Sequence, residues 1–262
     1  MRFVATLTLL ALLVLGALGC SSSSNGGAEP GDAGASNTTP DASETGEPKP
    51  TPTPNSPADA REPLLGGAAS SYAPSLDELP GAFRVNDGET YGLDSGGFIT
   101  FGPFQTIDEG EKFVELYPYV DGYTVLYEPD GLLAGVIEGR YFVTISVHIF
   151  VSTDAAVAAY ELFDTQSRAR PEAEIVPIPP IANQSGASGL VVGTVGNSTT
   201  AGEYHRVVFR RGNLVAVVQT YGAAPLINII PARYLAGIID ERAVGDRPAE
   251  EPTPAPTPTL GF

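Results

Sequence analysis

Residues 141–151 alternate along their whole length. Tyr141, Val143, Ile145, Val147, Ile149 and Val151 fall on one side of an extended chain, and Phe142, Thr144, Ser146, His148 and Phe150 on the other. Period-two spacing with one wholly apolar side and one mixed side is the mark of a strand in an antiparallel sheet that faces a core. A segment like this cannot be a helix without spreading its apolar residues around the whole surface, so the rest of the fold must be built onto a sheet.

Elements on either side extend the reading. Before it, the sequence predicts strands at 82–85, 98–101 and 123–127, a helix over 108–116, and a returning strand at 132–137 after the tight turn Pro129-Asp130-Gly131. After it, Ser152-Thr153-Asp154 reads as a helix start, since a hydroxyl there meets free N–H groups and the acid favours the positive end of the helix dipole. Val157, Tyr160 and Phe163 would form its buried stripe. Residues 171–189 read as a Pro-rich, then Gly/Ser-rich crossover. Strands are predicted at 190–195, 204–210 and 214–221, with Arg211-Gly212-Asn213 as a hairpin turn. Residues 225–242 read as helical with a kink or break at Pro231. The expected fold class is α+β: an antiparallel sheet with helices packed on one face, in two successive strand-strand-strand-helix units, flanked by disordered termini.

The first twenty residues, MRFVATLTLLALLVLGALGC, carry an address. Arg2 is followed by an apolar run that is short for a membrane span and long enough for a signal segment. Ala17-Leu18-Gly19-Cys20 resembles the lipobox of bacterial lipoproteins, although Ala17 stands where that family more often has Leu, Val or Ile. The resemblance implies cleavage before Cys20 and acylation of its sulfur and its new amino group. Cys20 is the one cysteine in the chain, so the fold has no disulfide. The domain boundaries read as a signal over 1–19, an acylated cysteine and a disordered Ser/Gly/Pro-rich tether over 20–74, one α+β domain over 75–245, and a Pro-rich tail over 246–262. The expected location is therefore extracytoplasmic, with the chain lipid-anchored to the outer leaflet of the cell membrane.

The formal charge is -17, which argues against nucleic acid as a partner and against polyphosphate. The segments HIFVSTDAAVAAYELF and FRRGNLVAVV, the second leading to a closing helix, resemble bacterial lipoprotein domains of the PsbP/Mog1 type and the extracellular sensor domains of actinobacteria. That resemblance implies a binding or sensing module and transfers no functional residues.

Motifs for catalysis, metals or cofactors do not emerge. With two histidines, His148 and His205, and one cysteine, a tetrahedral zinc site lacks ligands, and GLVVGTVG is not followed by the Lys-Ser/Thr of a phosphate loop. His148 beside Ser146 invites a hydrolase reading but lacks an orienting carboxylate. Tyr117, Tyr119, Tyr123 and Tyr127 are candidate ligand-binding residues, because a tyrosine offers an apolar body with a polar tip. The sequence thus favours a non-catalytic surface lipoprotein that binds a small ligand or an envelope protein, needs no cofactor, and touches the membrane through its lipid. The alternatives are a carrier of lipid or another apolar molecule in a sheet-lined cavity and, third, a hydrolase. Labelled palmitate is expected to appear on the protein and to vanish in Cys20→Ala. A bare thiol at Cys20 in the wild-type chain would contradict the anchor.

Overall fold

The computed structural model describes residues 61–130, 141–194, 200–224 and 226–248. Cys20, the tether before residue 61, the strand expected at 132–137 and the tail after residue 248 lie outside the described residues. Strands run over Phe83–Val85 (β1), Tyr91–Leu93 (β2), Tyr119–Pro129 (β3), Phe142–Phe150 (β4), Glu174–Ile175 (β5), Gln184–Thr194 (β6), Ala201–Arg211 (β7) and Leu214–Ala223 (β8). Helices span Ser95–Phe101 (α1), Ile107–Leu116 (α2), Thr153–Arg168 (α3) and Ile230–Ala243 (α4). The strands form one eight-stranded sheet in the order β1-β3-β4-β8-β7-β6-β5, with β2 also on β3, and every pairing is antiparallel. The fold is α+β, as the alternation in β4 requires.

The helices do not share one face. The α4 residues Leu235, Ile238 and Ile239 pack on Ile145, Val147, Phe209 and Val218. Helix α3 packs on the opposite face, where Ala155, Ala156, Ala159 and Phe163 meet Phe150, Val208, Val215 and Val217. The physical reason lies in β7 and β8. Residues 207–209 and 214–218 are buried without a break, which is the pattern of strands covered on both sides. The small alanines of α3 let it lie close to valine side chains on what the sequence marks as the mixed face.

Three local expectations also change. Residues 98–101 are helical, because the Asp94 side chain accepts the Gly97 N–H at 2.7 Å and caps α1. Phe98 is then fully buried and stacks on Tyr119, centroids 4.4 Å apart. The crossover is shorter than expected, since β6 begins at Gln184. Gly186 of β6 leaves room for α3: a β-carbon there would displace the Asp164 carboxylate. Pro231 starts α4 rather than kinking it, occupying the first turn where its missing N–H is no loss. Ser152 caps α3 as its sequence implies, accepting the Ala155 N–H at 3.2 Å.

The folded body also begins before residue 75. Residues 61–74 pack onto the sheet, with Ala69 and Tyr72 buried in the α4-side core. They are held by the β7–β8 turn. Arg210 reaches Glu62 at 2.9 Å, and Arg211 donates to the Arg61 carbonyl at 3.1 Å. Asn213 donates from Nδ2 to the Leu65 carbonyl at 3.0 Å and accepts the Leu65 N–H at 2.6 Å. Arg211 also forms a two-pronged pair with Asp240 of α4, at 2.6 and 2.8 Å. Arg61 pairs in turn with Asp246 at 2.9 Å, so the incoming and outgoing segments sit side by side at this pole of the sheet. At the centre of the turn, Gly212 has φ +55°, and a β-carbon on it would overlap the Pro63 carbonyl oxygen. Gly212→Ala combines a left-handed backbone with that clash. It is expected to cost about 2 kcal/mol or more in urea unfolding. An unchanged midpoint would contradict this packing.

Candidate functional site

The strand register arranges the α3-side face of the sheet in cross-strand rows. Nearest the β7–β8 turn, His148, Val215 and Arg210 line up. The next row holds Thr124, Ser146, Val217 and Val208. A third holds Leu126, Thr144, Gln219, Arg206 and Ser188. The fourth, farthest from the turn, holds Phe142, Tyr221, Tyr204 and Leu190. Helices α1 and α3 pack over His148, Val215, Val217 and Val208 of the first two rows, around Phe98, Phe150 and Phe163. The fourth row belongs to neither buried cluster, and its side chains are half exposed. It is aromatic: Tyr204 and Tyr221 stack with centroids 4.3 Å apart and planes 25° apart, and Phe142 follows 6.3 Å beyond. Burial, with Tyr221 beside it, raises the Tyr204 phenol above its ordinary value, and burial alone does the same for Tyr221, so both stay neutral.

Inside this aromatic rim lies a polar floor of Thr144, Gln219 and Arg206. Both terminal nitrogens of Arg206 lie 3.4 Å from Gln166 Oε1, and its Nε has no partner. Burial pushes the guanidinium down to about 10, with Asp164 acting in the opposite direction, so it remains charged at neutral pH.

The tyrosines singled out in the sequence do not come together here. Tyr119 and Tyr117 pack in the α3-side cluster, whereas Tyr123 and Tyr127 pack on the α4 side. A register shift between Tyr119 and Asp121 turns the strand over between them. Tyr127 donates its hydroxyl to the Pro74 carbonyl and helps fix the incoming segment. Burial raises the phenols of Tyr119 and Tyr127 far above the ordinary range. Tyr204, Tyr221, Phe142 and Arg206 are the site residues that sequence reasoning missed. Their signal was the mixed side of the strands, which becomes a surface only once the strand order is known.

The histidines are structural in their surroundings. His148 Nδ1 lies 3.0 Å from the Tyr119 hydroxyl, and its ring stacks on Phe163 with centroids 5.0 Å apart. Ser146 shares a hydrogen bond with Thr124 at 3.0 Å. His205 Nε2 lies 3.1 Å from Glu203 on the other face. Neither histidine is bonded to a serine hydroxyl, and among the described residues no group of three or more His, Cys, Asp or Glu is placed to hold a metal. The helices do not stand off the sheet: Leu235 and Ile239 are fully buried against it, which gives the apolar-carrier alternative no support. No described helix is long and apolar enough to cross a membrane.

No family model and no curated protein matches the chain. Among solved structures it bears a weak likeness to the extracellular domain of PknH from Mycobacterium tuberculosis, with 13% identity and a TM-score of 0.42, covering 71% of this chain and 100% of that one.

Burial, with the Arg206 charge nearby, pushes the His148 imidazole down to about 3. A histidine depressed on folding is neutral in the native state while the unfolded chain takes up a proton below about 6.5. Its contribution is therefore fully present above that value and is lost as pH falls toward 3. Acidifying from 6.5 to 5 should remove roughly 2 kcal/mol through this residue. His148→Gln is expected to flatten the slope of unfolding free energy across that window. An imidazole NMR signal for His148 titrating near 6.5 in the folded protein would contradict the environment described.

Proposed function

We propose that the protein is an extracytoplasmic lipoprotein, held on the outer leaflet through acylated Cys20, whose domain binds a small ligand without catalysis. The binding surface in this reading is the aromatic row and polar floor between Phe142, Tyr221, Tyr204 and Arg206. One observation carries the proposal. The chain enters and leaves the domain at the β7–β8 turn, where Arg61 meets Asp246 at 2.9 Å, and the open aromatic row lies at the other end of the same strands. Tyr204 stands seven residues before Arg211 on β7, a separation of roughly 20 Å at about 3.3 Å per residue. Anchoring at one pole leaves the other free to meet a ligand.

The surface suits binding better than chemistry. It offers stacked rings, hydroxyls, an amide and a cation, which orient a ligand. It pairs no nucleophile with a base. An envelope protein as the partner is the second form of the same reading.

Native mass spectrometry of the lipoprotein purified from its own host is expected to show a bound small molecule that is lost in Tyr221→Ala, with the circular dichroism spectrum unchanged. Retention of that mass by Tyr221→Ala, or a bare wild-type protein, would contradict binding at this surface.

A further inference from the structure

Six described arginines lie in the sheet and its closing helix, and four hold carboxylates. Arg84 is 2.9 Å from Glu128. Arg210 is 2.9 Å from Glu62, Arg211 is 2.6 Å from Asp240, and Arg242 is 2.8 Å from Glu78. Arg206 has none. Its contacts are the two 3.4 Å approaches to the Gln166 carbonyl oxygen, longer than an ordinary charged hydrogen bond, and its buried Nε is unpartnered. Asp164 is near enough to be felt but is committed to Arg168 at 2.9 Å. In a chain with 31 acidic residues, a carboxylate for Arg206 was readily available, and the fold does not supply one. The Nε edge of Arg206 is out of water while the residue as a whole is half-buried, so its charge is left to solvent and to Gln166 in place of a carboxylate.

Resting on the binding surface proposed above, we propose that Arg206 is an anion-recognition residue and that the ligand is a small saccharide bearing a carboxylate. The guanidinium fork would hold both carboxylate oxygens in place of the long contacts to Gln166. One cation matches one carboxylate, whereas a phosphate dianion would be left half-compensated in this acidic setting. The remaining groups suit a sugar. Thr144 and Gln219 lie beside Arg206 in the same cross-strand row and present a hydroxyl and an amide. One step toward the open edge, the Tyr204–Tyr221 stack offers flat apolar surface with polar tips. The anion would sit on the floor and the sugar ring against the rim.

Two measurements on the full-length lipoprotein in detergent micelles test this. The first is calorimetric titration with D-glucuronate, D-glucose, inorganic phosphate and the dipeptide Gly-Tyr. Glucuronate is expected to bind at least tenfold more tightly than each of the others, and Arg206→Gln is expected to abolish that preference. Tyr221→Ala should weaken glucuronate binding in the Arg206 background. The second is thermal unfolding without ligand. Because the Arg206 charge is uncompensated, Arg206→Gln should leave Tm unchanged or raise it, as is expected of a residue kept for binding at the expense of stability. A drop in Tm on Arg206→Gln would make the residue structural and overturn the proposal. So would absence of glucuronate binding, or a wild-type preference for phosphate or for Gly-Tyr. Glucose binding as tightly as glucuronate, with Tyr221→Ala abolishing both, would overturn the anion assignment while leaving the binding surface in place.

Discussion

The pair between Arg211 and Asp240 is the joint on which the domain closes. With no disulfide, something other than a covalent bond must fix the last helix and the first segment to the sheet. The β7–β8 turn does this with four consecutive residues. Arg210 and Arg211 reach outward to Glu62 and Asp240, Gly212 lets the backbone pass beneath Pro63, and Asn213 bridges Leu65 to the end of β4 through the Phe150 carbonyl. A buried ion pair contributes little net stability compared with well-packed apolar residues. It does specify one arrangement, because any other leaves a charge buried alone. A second layer repeats the device: Arg242 and Arg247 both hold Glu78. Burial would raise the Glu78 carboxyl, but the Ser75 N–H and the two arginines outweigh it and hold the group below its ordinary value.

Pinning one pole has a consequence for the other. Helix α4 covers one face of the sheet, and α1 and α3 pack on the other. Moving along β7 and β8 away from the turn, the α3-side face passes from Val208 and Val217 through Arg206 and Gln219 to Tyr204 and Tyr221. Packing thus gives way to polar floor and then to aromatic rim within a few residues of the same strands. Helix α3 reaches as far as Arg206 through Gln166, and the aromatic row beyond it belongs to neither buried cluster.

What could be read in the sequence was local. The alternation of β4, the Arg211-Gly212-Asn213 turn and the Ser152 cap depend on neighbours a few residues apart, and each stands in the structure. What could not be read depends on distant partners. Residues 61–74 look like tether because their anchors are side chains of Arg210, Arg211 and Asn213, far along the chain. Residues 98–101 look like a strand because Phe98 is apolar, but an aromatic cluster drawn from α2, β3 and β4 receives it as part of a helix. The site shows the same limit. Tyr117, Tyr119, Tyr123 and Tyr127 are spaced by even numbers of residues and would lie on one side of a straight strand, and a single bulge divides them. Tyr204 and Tyr221 are seventeen positions apart and become neighbours only because the hairpin between them is in register.

Native-state hydrogen exchange at the Leu65 amide tests the closing role of the β7–β8 turn most directly. That N–H is donated to Asn213 Oδ1 at 2.6 Å, in a segment with no regular secondary structure of its own. If the turn locks the incoming segment into the folded body, the amide exchanges only through global unfolding, with the same opening free energy as the central amides of β8. Exchange orders of magnitude faster than β8, with the strands still protected, would show that the segment opens independently and that the turn does not close the domain.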